Sequence, residues 1–133
     1  MPPYGNSIGR DKGYDAEAAI SKYFAVKQGT TAEGVTPCTA ATDRCIGVAL
    51  FAVSASEITR GKGATVREAG IVEWQCSAPI AKGAAVTTSA NGRCVTAAGG
   101  GTNRVYGYAR QASANADEVI AVAVNFDTAP ILA

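Results

Sequence analysis

Apolar and polar positions alternate along this chain in short runs, and glycine ends most of them. In "VIAVAVN" (Val119–Asn125), Val119, Ala121 and Ala123 lie on one side and Ile120, Val122 and Val124 on the other. Apolar residues on both sides describe a strand covered on both faces. The same period-two pattern predicts strands over residues 23–27, 34–38, 44–52, 64–67, 71–76, 84–88, 93–97, 104–111 and 119–125. The punctuation between them is "AEG", "RGKG", "EAG", "ANG" and "AGGGTN". Asn91-Gly92, between "AVTTS" and "RCVTA", predicts a hairpin because both residues tolerate positive φ. Turn signals at this spacing give an all-β fold, a small barrel or sandwich of about eight or nine short strands.

Two stretches have helical character. Residues 54–59 offer a serine cap, with Glu57 three positions after Ser54. Residues 15–20 read as one helical turn or as the lead-in to a strand. Residues 1–14 carry Pro2, Pro3, Gly5, Gly9 and Gly13 without periodicity, which predicts an extended N-terminal arm. The expected organisation is an arm over 1–21, a β-domain over 22–126 and a tail over 127–133. A tail ending Ile131-Leu132 is expected to pack on its own body or on a neighbour.

Composition sharpens this in two ways. The chain has 133 residues, one domain's worth, and 47% of them are hydrophobic, but much of that is alanine. Leucine occurs only at Leu50 and Leu132 and tryptophan only at Trp74, so the core is thin and suits a barrel or burial against partner subunits. The net charge of +1 comes from interspersed charges, which excludes the clustered basic footprint of a nucleic-acid binder. No apolar run approaches membrane-spanning length, and "MPPYGNSIGRDKGYD" has no apolar core of a signal peptide. A protein made and used without secretion is expected, with no membrane partner.

A longer-range echo accompanies the short runs. "RCIGVALFAVSASE" (Arg44–Glu57) and "RVYGYARQASANAD" (Arg104–Asp117) correspond at an offset of 60: Arg44 with Arg104, Gly47 with Gly107, Ala49 with Ala109. At the same offset Lys22 meets Lys82, Ala25 meets Ala85 and Val26 meets Val86. A glycine inside a strand packs nothing and weakens it, so Gly47 and Gly107 are expected to do one structural task twice. A barrel corner or the close passage of another strand is the expected task, and a backbone approach to a ligand is the alternative.

Candidate chemistry is sparse. There is no histidine, which excludes a Ser/Cys-His-Asp arrangement. "GKGAT" lacks the spacing of a phosphate loop, and Glu68 with Glu73 reads as a solvated face. Cys38, Cys45, Cys76 and Cys94 have no C-x-x-C spacing, so buried, reduced thiols without metal are expected; a Cys38–Cys45 bridge across a turn stays open. No cofactor is implied. Tyr106 and Tyr108, two apart on one strand, either meet a neighbouring subunit or cap the thin core.

Gly70-Ile71-Val72, the Ile80/Gly83/Val86 step, the Asn91-Gly92 hairpin, Gly107/Ala109 and Val122/Val124 together resemble the capsid cement (decoration) proteins of tailed bacteriophages. The resemblance spans about Lys22 to Phe126; the four cysteines depart from the pattern. It implies a non-enzymatic virion protein, made in the host cytoplasm and seated on the outer capsid surface where major capsid proteins meet. There it would hold the shell against genome pressure, as a homotrimer or a dimer. Within that expectation the arm, through Pro3, Tyr4, Ile8, Arg10 and Tyr14, is disordered when free and orders against the major capsid protein. Tyr106, Tyr108, Ile131 and Leu132 are the subunit-interface candidates; Gly47, Gly92 and Gly107 are the structural glycines. The alternative class is a carbohydrate-binding or adhesin-like β-sandwich module, which would display exposed aromatic platforms.

Overall fold

The computed structural model describes residues 9–99, 101 and 103–131. Nine strands and one short helix follow in the order β1 (Arg10–Ala16), β2 (Ala25–Gln28), β3 (Gly34–Pro37), β4 (Cys45–Ala49), α1 (Ala55–Thr59), β5 (Ala64–Gln75), β6 (Ala85–Thr88), β7 (Cys94–Thr96), β8 (Gly107–Ala109) and β9 (Val119–Asn125). The fold is all-β. Ser54 caps α1 by accepting from the Glu57 N–H, and the Glu57 carboxylate returns the bond to the Ser54 N–H.

The strands form one barrel-like sheet in the order β1-β3-β2-β4-β5-β9-β8-β6-β7, and β1 also pairs with β5. That extra pairing closes β1, β3, β2, β4 and β5 into a ring. A parallel bridge between Cys76 and Cys94 brings the ends of the second ring together: β5, β9, β8, β6 and β7. The molecule is therefore two small barrels that share the twelve-residue strand β5. Closure leaves few unpaired strand edges.

The two barrels repeat each other's strand pairing, apart from bulges at Arg10/Asp11 and Val26/Lys27 in the first. Val26 pairs with Gly47 as Val86 pairs with Gly107. The bridge Ile20–Val53 recurs as Ile80–Ser113. Tyr14 opposes Ala64 as Trp74 opposes Ile120, so β1 corresponds to the second half of β5. A Cβ on Gly47 would lie 2.7 Å from the Arg67 carbonyl oxygen, and one on Gly107 would strike the corresponding oxygen of Ala123. The glycine between the strand residues of "VYGYAR" is there because the next strand's backbone lies against it.

The interior has two parts. Ala16, Ile20, Val26, Val35, Ala49, Val53, Ala64 and Val66 fill the first barrel. The larger cluster fills the second and extends between the barrels, where Ala25, Cys38, Cys45 and Val48 meet Trp74, Tyr106 and Phe126. Trp74 lies edge-on to Tyr106 at 6.5 Å, and Tyr106 stacks on Phe126 at 4.8 Å.

Several expectations change. Residues 10–16 are not a free arm but the first strand of the sheet, and with residues 17–20 they form no helix. Its face to water is charged, so β1 shows little apolar alternation; only Tyr14 and Ala16 reach the core. The strands expected over 64–67 and 71–76 are one strand, continuous through Gly70. The Asn91-Gly92 hairpin forms between β6 and β7, but only Gly92 takes positive φ (83°); Gly92 N–H bonds Ser89 O and Ser89 N–H bonds Arg93 O. This is a tight turn followed by a left-handed glycine, and a Cβ there would lie 2.8 Å from the Ala25 carbonyl oxygen. Cys38 and Cys45 are joined in a disulfide across the 38–45 turn, with Cα atoms 6.7 Å apart, so they are not the free thiols expected; Cys76 and Cys94 are free and buried.

Candidate functional site

The structure separates the residues that the sequence grouped. Tyr106 is buried in the seam between the barrels; its hydroxyl donates to Asp43 O at 3.0 Å and accepts from Cys45 N–H at 3.1 Å. It is a core residue, not a subunit contact, because a phenol with both bonds satisfied inside the chain has no reason to face a partner. Tyr108 is the opposite case, 56% exposed on β8. Ile131 is 50% exposed, next to the Val105 N–H bond to Pro130 O, so the tail lies on its own barrel as far as Ile131; Leu132 falls outside the described residues.

Arg10 and Tyr14 are held by the domain itself. Arg10 pairs with Glu68 and with Asp127, and Tyr14 donates its hydroxyl to Glu68. Burial, then that bond, pushes the Tyr14 hydroxyl well above the usual tyrosine range. Pro3, Tyr4 and Ile8 lie outside the described residues.

The chemistry of reaction is thin here too. Among the described residues no three His, Cys, Asp or Glu side chains are grouped to hold a metal. Burial pushes the Cys94 thiol up, the reverse of what a nucleophilic cysteine needs. Glu17 is held near a pKa of about 2 by the backbone N–H groups of Thr30 and Thr31, which fold the β2–β3 turn around it; this is a structural carboxylate.

What the molecule does present is surface. Direct strand partners place Ala85, Tyr108, Ala123 and Ile71 side by side across β6, β8, β9 and β5. A groove of about 410 Å³ runs along Tyr108 and Ala123 to Thr128 and Pro130. On the first barrel a second depression, of about 250 Å³, lies between Tyr23, Leu50, Phe51 and Ile71, with Lys22 and Glu73 at its polar side. Phe51 is 55% exposed there. Sequence reading found Tyr108 but missed Ile71, Ala123 and Phe51. Only the pairing register shows that Ile71 and Ala123 share a row, and Phe51 lies just past the end of β4.

No protein-family profile matches the chain, and no curated protein matches it. Among solved structures it is similar to the crystal structure of the head fiber gp8.5 N base of bacteriophage phi29. The TM-score is 0.66 over 95% of this chain and 99% of that one, at 16% sequence identity. At that identity the likeness is one of fold, and it extends over both barrels.

Proposed function

We propose that this protein is a non-enzymatic structural component of a phage virion, seated on the outside of the head where major capsid proteins meet and stabilising the shell. The observation that carries the reading is the end-to-end fold likeness to the base of a phage head fiber. It agrees with the sequence resemblance to capsid cement proteins, drawn from different features of the chain. Since Arg10 and Tyr14 are engaged within the sheet, capsid contact by the N-terminal segment falls to Pro3, Tyr4 and Ile8, ahead of β1. Many copies of one modest contact add up over a shell by avidity.

The test is quantitative mass analysis of purified particles, followed by cryo-electron microscopy of heads with and without added protein. The chain in tens to hundreds of copies, with density on the outer surface, supports the reading. Particles that lack it, or heads that do not bind it, overturn it. Deleting residues 2–8 should leave both barrels folded and lower head occupancy.

One observation favours a second reading, a saccharide-binding module. Phe51 offers an exposed aromatic face, with the half-buried Tyr23 ring under the Lys22 ammonium and the Glu73 carboxylate beside it, a combination suited to a sugar ring. Pyranoside titration watched at the Tyr23 and Phe51 ring resonances decides it.

A further inference from the structure

The internal repeat supplies a control for reading the surface. The row Ala85, Tyr108, Ala123, Ile71 of the second barrel has its counterpart in the first: Ala25, Val48, Arg67, Asp11. The backbones are equivalent, so any difference between the rows is not demanded by the fold. On the first barrel Ala25 and Val48 are fully buried, because the second barrel packs over them. The rest of that row is a half-buried charged pair: Arg67 holds Asp11 through two bonds, of 2.7 and 3.1 Å. On the second barrel the charged pair is replaced by Ala123 and Ile71, and the residue matching Val48 is Tyr108, 56% exposed. The whole row is apolar: Tyr108 is exposed, Ala85 and Ala123 are half-buried, and Ile71, also half-buried, borders the depression beside Phe51. Contiguous apolar surface of this kind marks an interaction site.

We infer that this row is where copies of the chain associate, the Tyr108 face of one packing on the barrel of another. Two observations select a second copy over other occupants. In the first barrel the equivalent Ala25–Val48 half of the row is already covered by a barrel of this same fold, a precedent within the molecule for such a body on this part of the row. The row also carries no charge, and the chain's net charge is only +1, so two copies meet without repulsion and without needing a partner of opposite sign. Small residues on either side of one tyrosine let sheets approach closely while the ring supplies the anchor. The inference does not depend on the virion reading, since association through this face is measurable without heads.

The experiment is sedimentation equilibrium and native mass spectrometry of the full chain over a micromolar concentration series. The wild-type protein is expected to form a dimer or trimer. The variant Ile71→Asp with Ala123→Arg writes onto this row the pair that the first barrel carries at the same positions. It should fold, as judged by circular dichroism, and weaken association by more than about tenfold. Tyr108→Ser, at an exposed position, should do the same and decides the matter if the double variant fails to fold. A wild-type protein that stays monomeric throughout overturns the inference, as does an oligomer indifferent to a folded variant. A monomer whose head binding is lost in either variant also overturns it, and assigns the face to a capsid protein instead.

Discussion

The two barrels are built on one backbone plan but draw their stability from different places. The first is lined by Val, Ala and Ile20 with Tyr14, Ile46 and Ile58 at its margin, and its outward face toward β1 is tied by ion pairs: Arg67 with Asp11, Lys12 with Glu33, Arg10 with Glu68. Among the described residues the second carries every large buried aromatic ring: Trp74, Tyr106 and Phe126. Those rings fill the seam as well as the barrel, so the second half covers the first while its own matching face stays open. The halves share a strand-pairing scaffold, and side chains at equivalent sites differ according to what lies over them.

The sharpest way to break the comparison is at Trp74 and Tyr14, which occupy equivalent positions. Trp74 is fully buried, and its indole N–H donates to Gly92 O at 2.9 Å. Trp74→Ala should cost about 3–5 kcal/mol in chemical denaturation. Tyr14→Ala, at the half-buried counterpart, should cost about 1–2 kcal/mol. Equal costs would mean that the seam contributes nothing beyond the barrel interior. The equivalent glycines come next. Gly107→Ala and Gly47→Ala each force a methyl group against a neighbouring strand's carbonyl, and each should cost about 2–3 kcal/mol. If either is neutral, the close approach of strands is not what holds glycine at that site.

A smaller effect comes from a site where the halves differ in backbone compatibility. Tyr23 (φ 66°) and Gly83 (φ 86°) share a left-handed position, and their N–H groups bond Ala49 O and Ala109 O respectively. Nothing lies within 4 Å of a Cβ on Gly83, so Gly83→Ala tests backbone strain alone and should cost about 1 kcal/mol. Tyr23→Gly relieves the same strain but loses the ring, and should fall within about 1 kcal/mol of wild type. A larger loss would show that the Tyr23 ring is a core element rather than a surface one. The least effect is pH-dependent and confined to the first barrel, because Glu17 corresponds to Ser77. The folded pKa of Glu17 lies at about 2, below its ordinary value, so its ionised form favours the folded turn. That contribution is fully present above the ordinary glutamate range and is lost as pH falls through the folded pKa. Amide protection factors at Thr30 and Thr31, taken against the intrinsic exchange rate at each pH, should fall as pH drops below about 4, while those of the hairpin at Gly92 do not follow.

Much of this was legible in the residues because local chemistry decides it. The capping box at Ser54 and Glu57, the β6–β7 turn, β9 and the 60-residue echo are all short-range patterns. What was hidden has equally definite causes. In β1 five of the seven residues face water and charge masks the period, so a strand looks like a tail. Gly70 resembles a turn but lies within β5. The repeat itself slips: Tyr14 and Trp74 keep the offset of 60, but their partners Ala64 and Ile120 are 56 apart, because the first half carries α1 in the intervening loop. Asp11 and Ile71 keep the offset of 60, but Arg67 and Ala123 are 56 apart, and without that register nothing in the sequence aligns them. Tyr106 and Tyr108 were indistinguishable as letters; the seam accepts one hydroxyl and leaves the other outside.

Strand β5 also sets an order of events. Its first half completes the ring begun at Arg10, and its second half opens the ring that ends at Asn125. As the chain leaves the ribosome, the first barrel has all its strands once Ala69 has emerged. From then on residues 71–75 project from a finished body as a fixed template, and the second half assembles on a strand already held at one end. The seeded half therefore meets a lower entropic barrier to closing than its twin. A cut between Ala64 and Ala69 severs the last stave of the first barrel, and a cut between Ile71 and Gln75 severs the first stave of the second.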